Sequence, residues 1–139
     1  MTLDQAAIRG LVPHAGAMCL LHEVLQADAD SIRVRAISHR DPANPLREGG
    51  VLPALCGVEY AAQAMAVHGS IQNKNEIRSG MLASVRDVEL AAERLDDIAE
   101  DLVIEAHCLM NESGRLLYRF EVRANNRLLL QGRITVVTQ

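Results

Sequence analysis

Apolar and charged residues alternate along the C-terminal half of the chain, which is typical of strands with one buried face. The alternation is clearest within Leu116–Ala124, where every second residue from Tyr118 to Val122 is apolar and the intervening residues are charged. We predict four strands here: Met81–Leu90, Leu102–Met110, Leu116–Ala124 and Leu128–Val137. Glu112-Ser113-Gly114 and Asn125-Asn126 are turn sequences, so we expect an antiparallel meander.

The N-terminal part has the pattern of a short helix followed by two strands. Asp4 can cap a helix that ends at Gly10. The strands are predicted at Met18–Leu25 and Ser31–Ser38, joined through Asp28-Ala29-Asp30. In the second strand the apolar residues at 32, 34 and 36 share one face.

A Pro- and Gly-rich loop, His39–Gly50, leads into one long apolar helix. The helix is predicted over Pro53–His68, with Gly69 as its end. Because it is apolar on nearly all sides, it must be buried. A single α+β domain spanning residues 1–139, with the antiparallel sheet wrapped around this helix, is the arrangement that buries it.

Composition removes several classes of function. The 139 residues carry a formal charge of −4, with one Phe, two Tyr and no Trp, which argues against a nucleic-acid partner. Three cysteines, at 19, 56 and 108, indicate reduced thiols in the core of a cytoplasmic protein. No membrane span or secretory signal is predicted. Residues 87–112 hold nine acidic side chains and one Arg, a segment we interpret as solvent-exposed.

Glu59 carries the clearest chemical signal, because it is the only charged residue between Pro53 and Gly69. A carboxyl group on a buried helix must be paired, protonated or face a cavity, and it is a candidate general acid or base. The alternative is a Glu that is satisfied at the helix edge or at a subunit interface. Gln63 lies on the same face at i+4, where it either assists Glu59 or bridges backbone groups.

The start of the helix is a candidate binding site for a carbonyl oxygen that gains negative charge. After Pro53, the amides of Ala54 and Leu55 are expected to be unpaired donors at the positive end of the helix dipole. Such amides could stabilise an enolate-like oxygen beside Glu59.

Several segments resemble hot-dog fold 3-hydroxyacyl-[acyl carrier protein] dehydratases, and the resemblance covers nearly the whole chain. They are Leu11-Val12-Pro13-His14, Met18 to Val24, Leu52-Pro53-Ala54-Leu55, Val58-Glu59 and Ala62-Gln63-Ala64. Asn44-Pro45-Leu46, Leu52-Pro53-Ala54 and Gly57 to Gln63 are similar to the group of predicted dehydratases found with aryl polyene gene clusters.

The resemblance implies a dimer in which a His and a carboxylate from opposite subunits remove water from a 3-hydroxyacyl thioester. The substrate would hang on the phosphopantetheine arm of an acyl carrier protein, and no metal or separate cofactor would be needed. A homodimer or larger assembly, or a heterodimer with a related dehydratase, is expected. Acyl chain length is left open.

The Gly-His-Phe-Pro motif that carries the dehydratases' catalytic His is missing, and Asn44 to Gly50 stand in its place. His39 is the only imidazole in this loop, so it is a candidate base, with a solvated loop residue as the alternative. Asn44 is a candidate substrate contact. Arg47 is a candidate contact for an acidic carrier protein or a phosphate. The other histidines are interpreted as structural: His14, His22, His68 and His107.

Three functions remain open. The first is a dehydratase in which Glu59 protonates the departing hydroxyl. The second is a hot-dog thioesterase in which Glu59 activates water or attacks the carbonyl and Gln63 positions it. The third is a non-catalytic or half-site subunit that contributes Glu59 to a His-bearing partner. For an acyl substrate we also predict an apolar tunnel lined by Leu55, Val58 and Met65, with its mouth near residues 40–50.

Overall fold

A computed structural model describes residues 4–9, 19–72 and 80–138. The N-terminal helix and six strands are α1 (Gln5–Arg9), β1 (Glu23–Ala27), β2 (Ser31–Ala36), β3 (Gly80–Leu90), β4 (Leu102–Glu112), β5 (Arg115–Ala124) and β6 (Arg127–Thr138). The long helix is α2 (Gly57–Gln72), and 3₁₀ turns occur at Ser38–Arg40 and Ala54–Cys56. The predicted order of elements is confirmed.

The six strands form one antiparallel sheet in the order β1-β2-β4-β5-β6-β3. β4, β5 and β6 form the predicted meander, but β3 pairs with β6 at the far edge instead of with β4. α2 packs on the inner face, mainly against β2, β4 and β5. The predicted sheet wrapped around a buried helix is therefore confirmed, and the order of its strands differs from a simple meander.

Local chemistry explains the turns. Asn125 and Asn126 both have positive φ, of 50° and 70°, which is the conformation of a type I′ hairpin turn. Between β1 and β2, the Asp28 carboxylate accepts hydrogen bonds from the amides of Asp30 and Ser31 at 2.9 and 2.8 Å. Asp4 caps α1 by accepting from the Ala7 amide at 3.0 Å. These predicted turn and cap signals are confirmed.

Two element boundaries differ from prediction for identifiable reasons. α2 continues through Gly69 to Gln72, because an interior Gly costs a helix only about 1 kcal/mol and does not by itself end it. β1 begins at Glu23, because Leu20 has other partners: its amide donates to the Gln63 side chain and its carbonyl accepts from Ser38. Met18, where that strand was predicted to begin, and His14 lie outside the described residues.

The acidic segment is not simply a solvated surface. The connection between β3 and β4, residues 91–101, packs along the loop that precedes α2. Asp101 pairs with Arg35 at 2.8 Å and with Arg40 at 2.6 Å, and Asp96 pairs with Arg94. The interpretation of this segment as solvent-exposed is therefore wrong for Asp96, whose side chain is only 7% exposed, whereas Asp101 is paired and still 36% exposed.

The cysteines are free thiols, of which only Cys19 is fully buried, whereas Cys56 and Cys108 are half-buried. Within the described residues, no helix has the length and apolar character needed to cross a membrane.

Candidate active site

Glu59 lies in the first turn of α2 and is half-buried. One carboxylate oxygen accepts a hydrogen bond from Gln63 Nε2 at 3.4 Å, as the i+4 spacing predicts. Among the described residues no other hydrogen bond or ion pair to Glu59 is present. The helix dipole favours negative charge at this end. Glu59 is thus a half-buried carboxyl group at the start of the central helix, and most of its hydrogen-bonding capacity is unused among the described residues.

Gln63 is only 3% exposed, and its side chain hydrogen-bonds two different segments of the chain. Its Oε1 accepts from the Leu20 amide at 2.9 Å, and its Nε2 donates to Glu59. Two roles were predicted for Gln63: bridging backbone groups and assisting Glu59. The bond to the Leu20 amide is of normal length and agrees with the first role, whereas the bond to Glu59 is long. It therefore links the carboxylate to the chain segment that leads into β1.

A buried polar network continues from Leu20 to the loop before α2. Ser38 Oγ donates to the Leu20 carbonyl at 2.7 Å, so its lone pairs accept from Tyr60 at 2.8 Å. Tyr60 in turn accepts from Asn44 Nδ2 at 3.0 Å. This assignment satisfies the Tyr60 hydroxyl as donor and as acceptor.

Ser38 and Tyr60 were not among the predicted site residues. A signal for Tyr60 did exist, because it is the only Tyr, Phe or Trp on the buried helix and a buried tyrosine hydroxyl needs a partner. Burial raises the pKa of Tyr60, so the hydroxyl stays protonated at neutral pH. The hydrogen bonds to Tyr60 fix the rotation of α2 about its axis. Tyr60 directly follows Glu59, so the rotation is fixed at the position of Glu59.

Asn44 is buried and its side chain is fully used within the protein. Nδ2 donates to the Ser38 carbonyl at 2.9 Å and to Tyr60, while Oδ1 accepts from the Leu46 amide at 2.8 Å. These bonds hold the loop against α2. The predicted substrate contact of Asn44 stays a prediction, since every bond in the structure favours a structural role.

Arg47 also binds its own loop. Its Nη1 donates to the Gly50 carbonyl at 3.2 Å and its Nη2 to the His39 carbonyl at 2.9 Å. The guanidinium is half-buried, so the charge lies within the loop and not at its tip. Docking of a carrier protein to Arg47 stays a prediction that rests on this charge.

His39 is fully buried, which favours a structural role over the predicted role of base. Its Nε2 donates to the Glu100 carbonyl at 2.9 Å, and Nδ1 hydrogen-bonds no described residue. No hydrogen bond links the ring to Glu59. Burial lowers the pKa of His39, and the positive charge of Arg40 acts in the same direction, although the Glu100 carbonyl opposes them. The ring is therefore neutral and turned toward the 91–101 connection.

His39 should make stability depend on pH. Its pKa is lower in the folded than in the unfolded chain, so its stabilising contribution is complete above the unfolded value, about 6.5, and is lost as the pH falls toward the folded value. We expect the Tm to fall between pH 7.5 and 5.5. In His39→Gln, whose amide can still donate to Glu100, that fall should be smaller. Equal slopes for the two proteins, measured by thermal melts, would show that His39 is not the titrating group.

The turn before α2 offers one free amide, not two. The Ala54 amide donates to the Glu93 carbonyl at 3.0 Å, so the prediction that it is unpaired is wrong. No described residue accepts from the Leu55 amide, which remains a candidate donor to a substrate carbonyl. Pro53 precedes this turn with an exposed ring, and its carbonyl accepts from the Cys56 amide.

A cleft of about 520 Å³ borders the loop, lined by Gln5, Cys19, His22 and the loop residues between 37 and 45 other than His39 and Pro42. Its position agrees with the predicted mouth, but Leu55, Val58 and Met65 do not line it. Met65 is buried in the core, whereas the Leu55 side chain is 56% exposed. The apolar tunnel stays a prediction, and this cleft is not it.

Part of the inner face of the sheet is uncovered on the β3 side. Val85 and Leu90 are opposite the buried residues Ile134 and Leu130 in the β3–β6 register, so they share the inner face with them. Both are exposed, as is Leu55 on the turn before α2. Exposed apolar side chains on an edge strand are expected where another subunit binds.

A six-stranded antiparallel sheet wrapped around one long helix defines the hot-dog class. The chain belongs to the ApeP-like family, whose model, described as ApeP dehydratase, matches residues 6–139. A search of curated proteins finds no match. The predicted resemblance to hot-dog dehydratases is confirmed.

Solved structures agree with this fold. The dehydratase heterocomplex ApeI:P from Xenorhabdus doucetiae matches at 22% identity and a TM-score of 0.84, over 95% of this chain and 90% of that chain. A thioesterase from Haemophilus influenzae matches at 14% identity and a TM-score of 0.70, over 100% and 92%. A hypothetical thioesterase with coenzyme A from Streptococcus pneumoniae matches at 12% identity and a TM-score of 0.58, over 84% of each chain.

Proposed function

We propose that this chain is one subunit of a mixed dehydratase that removes water from 3-hydroxyacyl thioesters on an acyl carrier protein during aryl polyene assembly. Membership of the ApeP-like family supports the reaction class. One observation supports an acid and a base that come from different subunits. Glu59 is available at the start of α2, whereas His39, the only imidazole of the preceding loop, is buried against Glu100.

In this reaction a His of the related partner chain takes the proton from C2 of the substrate. The electron pair of that C–H bond forms the double bond between C2 and C3, and the C3–O bond breaks. Glu59, in its protonated form, donates its proton to the departing hydroxyl, which leaves as water. The Leu55 amide, from which no described residue accepts a hydrogen bond, would stabilise the thioester oxygen while it carries negative charge.

The exposed apolar side chains of Val85 and Leu90 on the edge strand β3, and of Leu55 on the turn that precedes Glu59, support an assembly. A partner seated there would cover apolar surface and bring its own residues to this end of α2. The structural match to a complex described as a dehydratase heterocomplex supports a related chain as that partner. A homodimer is the alternative outcome.

A thioesterase is the second candidate function, favoured by the structural similarity to one protein described as a thioesterase and one described as a hypothetical thioesterase. It needs no loop histidine, because Glu59 could activate water directly. Its products would be a free acid and a free carrier thiol.

Activity should depend on the partner. We expect the purified chain alone to show little dehydration of a 3-hydroxyacyl carrier protein, and a mixture with a related dehydratase subunit that carries the Gly-His-Phe-Pro motif to be active. The same mixture with that subunit's His replaced by Ala is the matched control and should be inactive. The mixed arrangement would be contradicted if this chain alone were fully active and its molar mass, measured by light scattering, were that of a homodimer.

A further inference from the structure

The 91–101 connection is paired to the residues just before α2 by backbone hydrogen bonds. The Leu95 amide donates to the Leu52 carbonyl at 2.8 Å, and the Ala54 amide donates to the Glu93 carbonyl at 3.0 Å. Both Leu52 and Leu95 are fully buried. A segment that is distant in sequence therefore holds the backbone that leads into the candidate site.

The side chain of Asp96 adds a further hydrogen bond between the 91–101 connection and Leu52. Its Oδ1 accepts from the Leu52 amide at 2.9 Å, so both backbone groups of Leu52 are held by the connection. The Asp96 side chain is only 7% exposed. Arg94 binds both carboxylate oxygens, with Nε at 3.0 and 3.1 Å and with Nη2. This pairing, together with the Leu52 amide, holds the pKa of Asp96 well below its usual range.

Only two residues, both conformationally restricted, separate Leu52 from Leu55, whose amide and the nearby Glu59 are the proposed reacting groups. Pro53 follows with its φ fixed by the ring, and Ala54 is held by Glu93. The next amide, that of Leu55, is the unpaired one, and Glu59 lies one turn further along. A displacement of Leu52 would therefore be transmitted to both groups.

We propose that Asp96 is a positioning residue that fixes Leu52 and thereby orients the Leu55 amide and Glu59 for the reaction. The catalytic part of this inference rests on the proposed function. The structural part, that Asp96 immobilises the turn before α2, does not.

The test compares Asp96→Ala, Asp96→Asn and Asp97→Ala in the assembled, active complex, at a temperature where all variants are folded. Asp97 is the matched control, because it is the adjacent carboxylate, is 61% exposed and, of the charged groups in the described ranges, approaches only Arg94, at 3.9 Å. Asp96→Asn keeps an oxygen that can accept from the Leu52 amide. The readouts are kcat, KM and amide hydrogen exchange of residues 52–56.

We expect Asp96→Ala to lower kcat by about tenfold or more with KM within about twofold, because small misplacements of reacting groups are costly in rate. Exchange at residues 52–56 should increase in the same variant. Asp96→Asn should recover most of kcat, and Asp97→Ala should match the wild type in both readouts.

Unchanged exchange in Asp96→Ala would overturn the inference, as would increased exchange with wild-type kcat. An inactive wild-type complex would instead refute the proposed function and, with it, the catalytic part of the inference. Exchange alone would then decide whether Asp96 immobilises the turn.

Discussion

Glu59→Gln should lower turnover of the assembled enzyme by about a hundredfold or more, with substrate binding nearly unchanged. Gln keeps the size of the side chain and its ability to hydrogen-bond Gln63, but it has no proton to give to the leaving hydroxyl. Because Glu59 is half-buried and its only described hydrogen bond is a long one to Gln63, little stability should be lost. Turnover and KM on a 3-hydroxyacyl carrier protein, with a thermal melt of each protein, measure this.

Glu48→Gln is the matched control for Glu59→Gln. Glu48 is exposed on the loop before α2, and its charge and that of Glu59 both contribute to the raised pKa of Cys56, for which burial is the main cause. Removing the Glu48 charge therefore changes the local electrostatics without removing the proposed acid. Equal losses in the two variants would mean that charge near α2, and not proton transfer by Glu59, supports the activity.

Tyr60→Phe should destabilise the protein by about 1–3 kcal/mol, because it removes one hydrogen-bond partner from each of two polar groups and leaves a buried site without its hydroxyl. Ser38 Oγ would lose the hydroxyl that donates to it, and Asn44 Nδ2 would lose one acceptor. These bonds attach the loop before α2 to the helix. We therefore expect a lower free energy of unfolding and faster proteolysis within residues 38–50.

Tyr118→Phe separates this local effect from a general loss of stability. Tyr118 is also buried, and its hydroxyl contacts His68 Nδ1 on the far part of α2, away from the loop. It should cost a similar free energy without exposing the loop to protease. Equal proteolysis of the loop in both variants would contradict the role assigned to Tyr60.

Most elements could be predicted from the sequence, because a sheet with one buried face imposes a period of two on its strands. The asparagine turn at 125–126 was predictable for a similar reason, since few residues accept a positive φ. The pairing of β3 with β6 was not predictable in this way. Both strands have the correct pattern, but which strands become neighbours depends on contacts between residues far apart in sequence.

In the candidate site, too, the predictable features are those that depend on local sequence. Glu59 and Gln63 were identified because a spacing of four places two residues on one helix face, which is local information. The contacts of His39 and Asn44 were not predictable, because their partners, Glu100 and Tyr60, are distant in the sequence. Until those partners are known, a loop residue with a catalytic role cannot be distinguished from one with a structural role.

The mass of the carrier-bound acyl group, followed over time by mass spectrometry, tests the central claim most directly. With the His-bearing partner present, a 3-hydroxyacyl carrier protein should lose the mass of one water and keep its acyl chain, and Glu59→Gln should slow this loss. Release of the whole acyl group with recovery of the free carrier thiol would contradict the account and identify a thioesterase. Loss of water at the wild-type rate in Glu59→Gln would show that Glu59 is not the acid.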